Sequence, residues 1–228
     1  AATYTAGTER FMANRTYRWL LVTLAVVGLS ADQASKYGVF RWLYKGGNLV
    51  YGVGNEYDVV PGWFKIIAQF DRDTPVCDCG ASQLQTWSTN GDPVMPRVNH
   101  GALFGLGQSR KGLANGFFAV VSVAAALAIL VWGNRAHTAR ERGLMAALGL
   151  ILGGTVGNLY DRIVFGGVRD FLYFYKVEWP VFNVADCCLV VGAALLLLQA
   201  VFVSPTQEAP APTAAPANDA IVPESPKV

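Results

Sequence analysis

Four apolar runs organise this chain, and each of them is bordered or broken by polar residues in a telling place. Residues 20–31 carry no charge. That run falls short of the roughly 20 residues that cross a bilayer core of about 30 Å. A span there must take in Trp19 and continue through Asp32, Ser35 and Lys36 to about residue 39. Residues 112–134 are uncharged and long enough to cross by themselves. Residues 143–160 form a third uncharged run, with Gly149, Gly153 and Gly157 at four-residue spacing. Small residues on one helix face let membrane helices approach closely. Residues 181–203 form the fourth run, interrupted by Asp186.

Between the runs the pattern changes. Residues 40–111 are polar and aromatic, and Pro61-Gly62 within 59–68 suggests a turn joining short strands. Residues 71–96 are the most polar part and read as a loop or insertion. Residues 161–180 form a short connection with Trp179 at an interface-like position. The segment 1–17 is polar, and 204–228 is a Pro/Ala-rich tail expected to be disordered. A secretory signal at the N-terminal run fits less well than a retained span. The exit Ser30-Ala31-Asp32-Gln33-Ala34 is a poor cleavage site. The expected unit is therefore a four-span domain over 18–203.

Charge gives that unit an orientation. Arg10, Arg15 and Arg18 precede the first span, and Arg135, Arg140 and Arg142 follow the second. Basic residues in short loops mark the cytoplasmic side. Both termini are then expected in the cytoplasm, with 40–111 and 161–180 outside. Asp32 with Lys36, Asn158 with Asp161 and Arg162, and Asn183 with Asp186 all fall at the outward ends of spans.

Composition agrees: 53% of residues are apolar, 15% are charged and mean hydropathy is +0.32, whereas soluble domains are about a quarter charged. A net charge of +2 without a basic stripe gives no reason to expect nucleic acid as a partner. Cys77 and Cys79 lie in the polar insertion, and Cys187 and Cys188 read as small helix residues. Neither pair, with His100 and His137, has metal-site spacing. A Cys77–Cys79 bridge would close a strained loop, so no pairing is assigned.

Ionisable groups at membrane depth point to function, because an unpaired charge in hydrocarbon costs at least about 2.5 kcal/mol. Asp170 and Asp186 are the pair of choice. Two carboxylates brought close share a proton. One can then take a proton from water while the other donates to a carbonyl or a leaving amine. Peptide hydrolysis of this kind needs neither a metal nor a cofactor. A serine mechanism fits less well, since Ser35 and Lys36 are adjacent and point about 100° apart on a helix. Structural readings stand beside these. Asp161 reads as a structural partner of its neighbours. Asp32 and Lys36 could form an i,i+4 pair, or Lys36 could snorkel to the outer headgroups. Asn183 is also placed as the N-cap of the last helix.

The motifs Asp32-Gln33-Ala34-Ser35-Lys36, Asn99-His100-Gly101-Ala102-Leu103-Phe104-Gly105, Gly153 to Arg162, Val168-Arg169-Asp170-Phe171 and Phe182-Asn183-Val184-Ala185-Asp186 occur in this order. Together they resemble the bacterial lipoprotein signal peptidases, also called signal peptidase II. The resemblance implies an all-α integral membrane fold of four transmembrane helices with a small extracytoplasmic β-cradle. It implies an aspartic endopeptidase that cuts diacylglyceryl-modified prolipoproteins before the lipidated cysteine, and inhibition by the cyclic peptide globomycin. By motif position, Asp170 and Asp186 would be the dyad. Asp32, Lys36, Asn99, Gly101, Gly154, Asn158, Arg162 and Asn183 would line or support the pocket.

His100, the long 71–96 segment and the Pro/Ala-rich tail depart from the family's usual pattern. A transporter or proton relay is the rival, and it would spread its carboxylates through the bilayer depth. Here they gather at one face.

Overall fold

A computed structural model of the chain describes residues 16–44, 55–71, 95–101 and 111–202. The expectations for the N-terminal segment up to residue 15, for most of the 71–96 insertion with Cys77 and Cys79, and for the tail lie outside the described residues.

Four long helices carry the fold: α1 (Arg18–Leu43), α2 (Lys111–Asn134), α3 (Arg142–Val164) and α4 (Val184–Phe202). Three described stretches, Gly112–Asn134, Arg142–Val164 and Val184–Phe202, are helices long and apolar enough to cross a membrane. The third helix continues four residues past the expected end at 160, so Asp161 and Arg162 sit in its last turns. α1 has 26 residues but interrupts its apolar sequence with Asp32, Gln33, Ser35 and Lys36. Its sides are inverted relative to a soluble helix. Trp19, Val22, Val26 and Val27 are more than half exposed, while Asp32 and Lys36 are fully buried. The snorkelling reading of Lys36 is thereby corrected: its ammonium turns inward, where carboxylates await it.

α3 is the central helix, flanked by α1, α2 and α4. Its glycines explain how. A Cβ on Gly149 would stand 2.7 Å from Leu21 O, and one on Gly153 would stand 2.8 Å from Ala25 O. Gly28 of α1 answers Gly153 across the contact. On the other side Gly154 meets Ala185 O of α4, and Gly192 of α4 meets Ala147 O. Without side chains between them the backbones pack directly. Replacing Gly154 with Ala should force α3 and α4 apart and lower stability by about 1–3 kcal/mol, the usual range for overpacking. Thermal unfolding in detergent reads this out, and an unchanged midpoint would remove Gly154 as a packing determinant.

The small sheet lies beside one end of the helices. Strand β1 (Asn55–Val60) pairs antiparallel with β2 (Phe64–Ala68), as Pro61-Gly62 suggested. Gly62 has φ +81°, and Trp63 N–H bonds Val60 O at 3.0 Å. Pro before a left-handed Gly suits such a turn. Two short strands, β3 (Phe70–Asp71) and β4 (Met95–Pro96), make a second ladder. β5 (Leu172–Tyr173) completes the first sheet in the order β1-β2-β5. Phe40 and Leu43 from the end of α1 bury against Ala68 and Phe171, which fixes the sheet to the helices. A second apolar cluster, Leu21, Ile129, Met145, Leu148 and Leu152, binds α1, α2 and α3 nearer the other end.

Candidate active site

α3 ends where the site begins. Phe165 N–H bonds Asp161 O at 2.7 Å, and Gly166 follows with φ +72°, a left-handed residue that stops the helix. The chain then runs beside residue 99. Val168 and Asn99 exchange backbone hydrogen bonds of 2.7 and 2.8 Å. Phe171 N–H donates to Phe182 O at 3.0 Å, and Phe171 O accepts from Ile67 N–H at 2.9 Å. Asp170 is thus held between two backbone anchors.

Both oxygens of Asp170 accept amide hydrogens: Oδ1 from Asn183 Nδ2 at 2.7 Å and Oδ2 from Asn99 Nδ2 at 3.0 Å. Burial pushes its carboxyl up to about 7. The Asn99 amide opposes that rise, the Asp186 charge adds to it, and the Asn183 amide again opposes it. Asp170 therefore carries a proton far above the ordinary carboxyl range.

Asp186 is fixed by a reciprocal cap at the start of α4. Asn183 Oδ1 accepts from Asp186 N–H at 3.0 Å, and Asp186 Oδ2 accepts from Asn183 N–H at 3.2 Å. This is a capping box built from Asn and Asp, and an acidic residue in the first turn also suits the helix dipole. Asp186 Oδ1 accepts from Asn158 Nδ2 at 2.9 Å. Asn183 consequently touches both aspartates, through its side chain to one and its backbone to the other. The expectation that Asn183 caps the last helix and the expectation that it serves the site describe the same contacts.

Beneath this pair lies a buried ionic layer. Lys36 Nζ bonds Asp32 Oδ2 at 2.8 Å, lies 3.4 Å from Asp161 Oδ2 and reaches Asn158 Oδ1 at 3.2 Å. Asn158 Oδ1 also accepts from Asn183 Nδ2 at 3.2 Å. Asp32 Oδ1 takes the Ala185 N–H at 2.9 Å, which ties α1 to the first turn of α4. Gly157 makes room for Asp32, since a Cβ there would stand 2.6 Å from its Oδ2. Lys36, Asn158 and Asn183 thus form a continuous chain from the buried ions to both aspartates.

Other predicted residues occupy the rim. Gly101 has φ +87°, donates its N–H to Asn99 Oδ1 at 2.9 Å and packs on the Phe118 ring. Gly154 acts through helix packing, as described above. Arg162 turns toward α2, with its guanidinium 5.0 Å from the Phe118 ring and 3.5 Å from Asn115 Oδ1. Asp161 pairs with Arg169 and Lys36 across the fold, not with the adjacent Arg162. His100 Nδ1 sits 2.8 Å from Gly166 O and so ties the Asn99 segment to the turn after α3.

Gln33 escaped the sequence reading. Its Nε2 contacts Asp32 Oδ2, Gly157 O and Asp161 Oδ1 at 3.0, 3.1 and 3.2 Å. The available signal was positional, since residues 32, 33 and 36 share one helical turn. Among the described residues no group of three or more His, Cys, Asp or Glu is placed to hold a metal.

Comparison with known proteins adds three findings. Residues 94–202 match the family described as signal peptidase (SPase) II. The chain is 40% identical over 112 residues to lipoprotein signal peptidases of Yersinia pestis (strain Pestoides F) and Yersinia pseudotuberculosis serotype O:3 (strain YPIII). The matched region is 48% of this chain, and the chain spans 65% of the length of those curated relatives. Two solved bacterial membrane enzymes share the fold, with TM-scores of 0.57 and 0.56 at 20% and 19% identity. They cover 83% and 81% of this chain, and 93% and 94% of their own.

Proposed function

We propose that the chain is a signal peptidase II, a membrane aspartic endopeptidase acting on diacylglyceryl-modified prolipoproteins; the match of residues 94–202 to that family and the 40% identity over 112 residues to lipoprotein signal peptidases support this reading. It removes the signal peptide by cutting before the lipidated cysteine. Asp170 and Asp186 form the dyad. The observation that carries this reading is the joint hold of Asn183 on both carboxylates, one of which keeps its proton to about 7.

The steps follow from that arrangement. Asp186 takes a proton from water as the water oxygen bonds to the scissile carbonyl carbon. Asp170 gives its proton to the carbonyl oxygen. Asp186 then returns its proton to the leaving amine as the C–N bond breaks, and Asp170 takes a hydroxyl proton from the tetrahedral intermediate as the carbonyl re-forms, which restores both carboxyl groups to their starting states. Asn99 and Asn183 orient Asp170, and Asn158 orients Asp186. Asp32 and Lys36 hold Asn158 and the first turn of α4 in register. Gly101 and Gly154 admit close packing at the rim and between helices, and Arg162 with Phe118 forms the wall toward α2.

In this reading α1 is the first of four spans. Its exposed apolar residues meet lipid, and its buried Asp32 and Lys36 meet the bundle. Both termini lie in the cytoplasm of a bacterial cell, and the dyad and sheet lie at the outer face of the cytoplasmic membrane. A lipid-anchored substrate reaches such a site by lateral diffusion. Its acyl chains supply binding energy remote from the reacting bond. Inhibition by globomycin is expected to accompany this activity.

The test is cleavage by the purified full chain, with a precursor offered in lipidated and unlipidated forms. The lipidated form is processed and globomycin stops the reaction. Equal turnover of the two forms would overturn the lipid-anchoring argument. The pH profile gives a second readout. Because the carboxyl of Asp170 is raised to about 7, it holds the required proton below that pH and loses it above. Turnover should fall about tenfold per pH unit on the alkaline side. A rate that stays flat through that range would contradict proton donation by Asp170.

A further inference from the structure

Arg169 is the largest fully buried side chain in the protein as described, yet it has no part in the steps above. Asp161 Oδ1 accepts from Arg169 Nη2 at 2.8 Å, and Asp161 Oδ2 accepts from Arg169 Nε at 3.1 Å. The same Oδ2 accepts the backbone N–H of Arg169 at 2.9 Å. One carboxylate in the last turns of α3 therefore grips both the side chain and the main chain of the residue that precedes Asp170. Gln33 Oε1 accepts Arg169 Nη2 at 3.0 Å, and the rings of Tyr37 and Phe165 lie 4.2 and 4.0 Å from the guanidinium carbon. Its Nη1 makes no hydrogen bond.

Stability alone is a poor reason for this arrangement. Buried ion pairs can often be replaced by apolar residues with no loss, and here one donor of the guanidinium is left unsatisfied. What the pair supplies is direction. The backbone is pinned at Val168 by Asn99, at residue 169 by Asp161, and at Phe171 by Phe182 and Ile67. The clamp from Asp161 joins this loop to α3, the helix that also carries Asn158 and so aims Asp186.

We propose that Arg169 and Asp161 act as one positioning unit that sets the place of the Asp170 carboxyl relative to Asp186. The inference rests on the dyad reading. The planar fork of arginine matters, because a two-point grip on a carboxylate fixes orientation that the single ammonium of lysine does not.

The experiment measures kcat and KM for the lipidated precursor, per folded enzyme, for Arg169→Lys, Arg169→Met, Asp161→Asn and the Asp161→Asn/Arg169→Met double variant. Thermal unfolding and Asp170→Asn are run alongside. Misplacing a reacting group by about 1 Å can cost about 10²-fold in rate. We expect kcat to fall about 10- to 100-fold in both Arg169 variants, with KM within about twofold. The double variant should fall no further than Asp161→Asn alone. Arg169→Lys keeps the test decisive if Arg169→Met does not fold. Unchanged kcat per folded Arg169→Lys enzyme, with only a lower melting temperature, overturns the inference. A multiplicative loss in the double variant overturns the single-unit claim. If Asp170→Asn keeps its turnover, the dyad reading falls and the inference with it. If Asp170→Asn is inactive while the Arg169 variants keep kcat, the inference alone falls.

Discussion

Asp170→Asn and Asp186→Asn are each expected to lower turnover of a lipidated precursor by about 10²- to 10⁴-fold, the range for loss of a positioned acid or base. Asparagine preserves shape and polarity but moves no proton. Both variants should still insert and fold. At position 170 the new amide nitrogen faces one donor amide, from Asn99 or Asn183, where the carboxylate accepted from both. That mismatch costs about 1–3 kcal/mol. At position 186 one arm of the cap weakens, while Asn183 Oδ1 still accepts the backbone N–H. Because the two carboxylates act as a unit, the double variant should be no slower than the worse single variant. Turnover is measured with purified protein at equal folded concentration. Wild-type rates in either single variant would leave a transporter or a scaffold as the better account.

The largest expected effect on stability comes from Lys36→Met. Lys36 is fully buried with Asp32 and Asp161 against it, and both carboxylates are fully buried too. Removing the shared cation leaves Asp32 without its ion partner and Asp161 with Arg169 alone. Breaking a buried pair from one side costs about 3–5 kcal/mol. The methionine fills the space of the aliphatic stem, so the loss measures charge and hydrogen bonding rather than a cavity. Thermal unfolding in detergent should show a large drop in midpoint. The Asp32→Asn/Lys36→Met double variant should regain part of it, since one uncompensated carboxylate is gone. An unchanged midpoint in Lys36→Met would mean that the buried layer does not hold the helices in place.

These two expectations divide the polar residues of the bundle into an ionic layer that joins α1, α3 and α4 and an amide layer above it that hydrogen-bonds Asp170 and Asp186. Asn158 belongs to both layers. Its Oδ1 faces Lys36, and its Nδ2 faces Asp186.

Much of this was legible in the residues. The apolar runs marked the helices, because hydrocarbon admits few charges and a helix satisfies its own backbone. Pro61-Gly62 marked the hairpin, because it meets the φ demands of that turn. Gly149, Gly153 and Gly157 marked the close face of α3 through their four-residue spacing. Asn183, just before an apolar run, marked a capped helix start. Such signals are local: each is set by neighbours within a turn or two of chain.

What the sequence left open was decided across distance. Asp161 stands beside Arg162, yet it binds Arg169, because Gly166 stops α3 and the chain turns back over the helix end. Lys36 had two exits, to the headgroups or into the bundle. The inward one prevails because two carboxylates and Asn158 meet it there. The sequence by itself determined which segments are helices, which turn is tight and which residue types could transfer a proton. Only the tertiary structure decided which charge pairs with which, and that Asn183 holds Asp170 and Asp186 together. Pairing depends on where elements far apart in sequence come to rest, and local pattern carries no record of that.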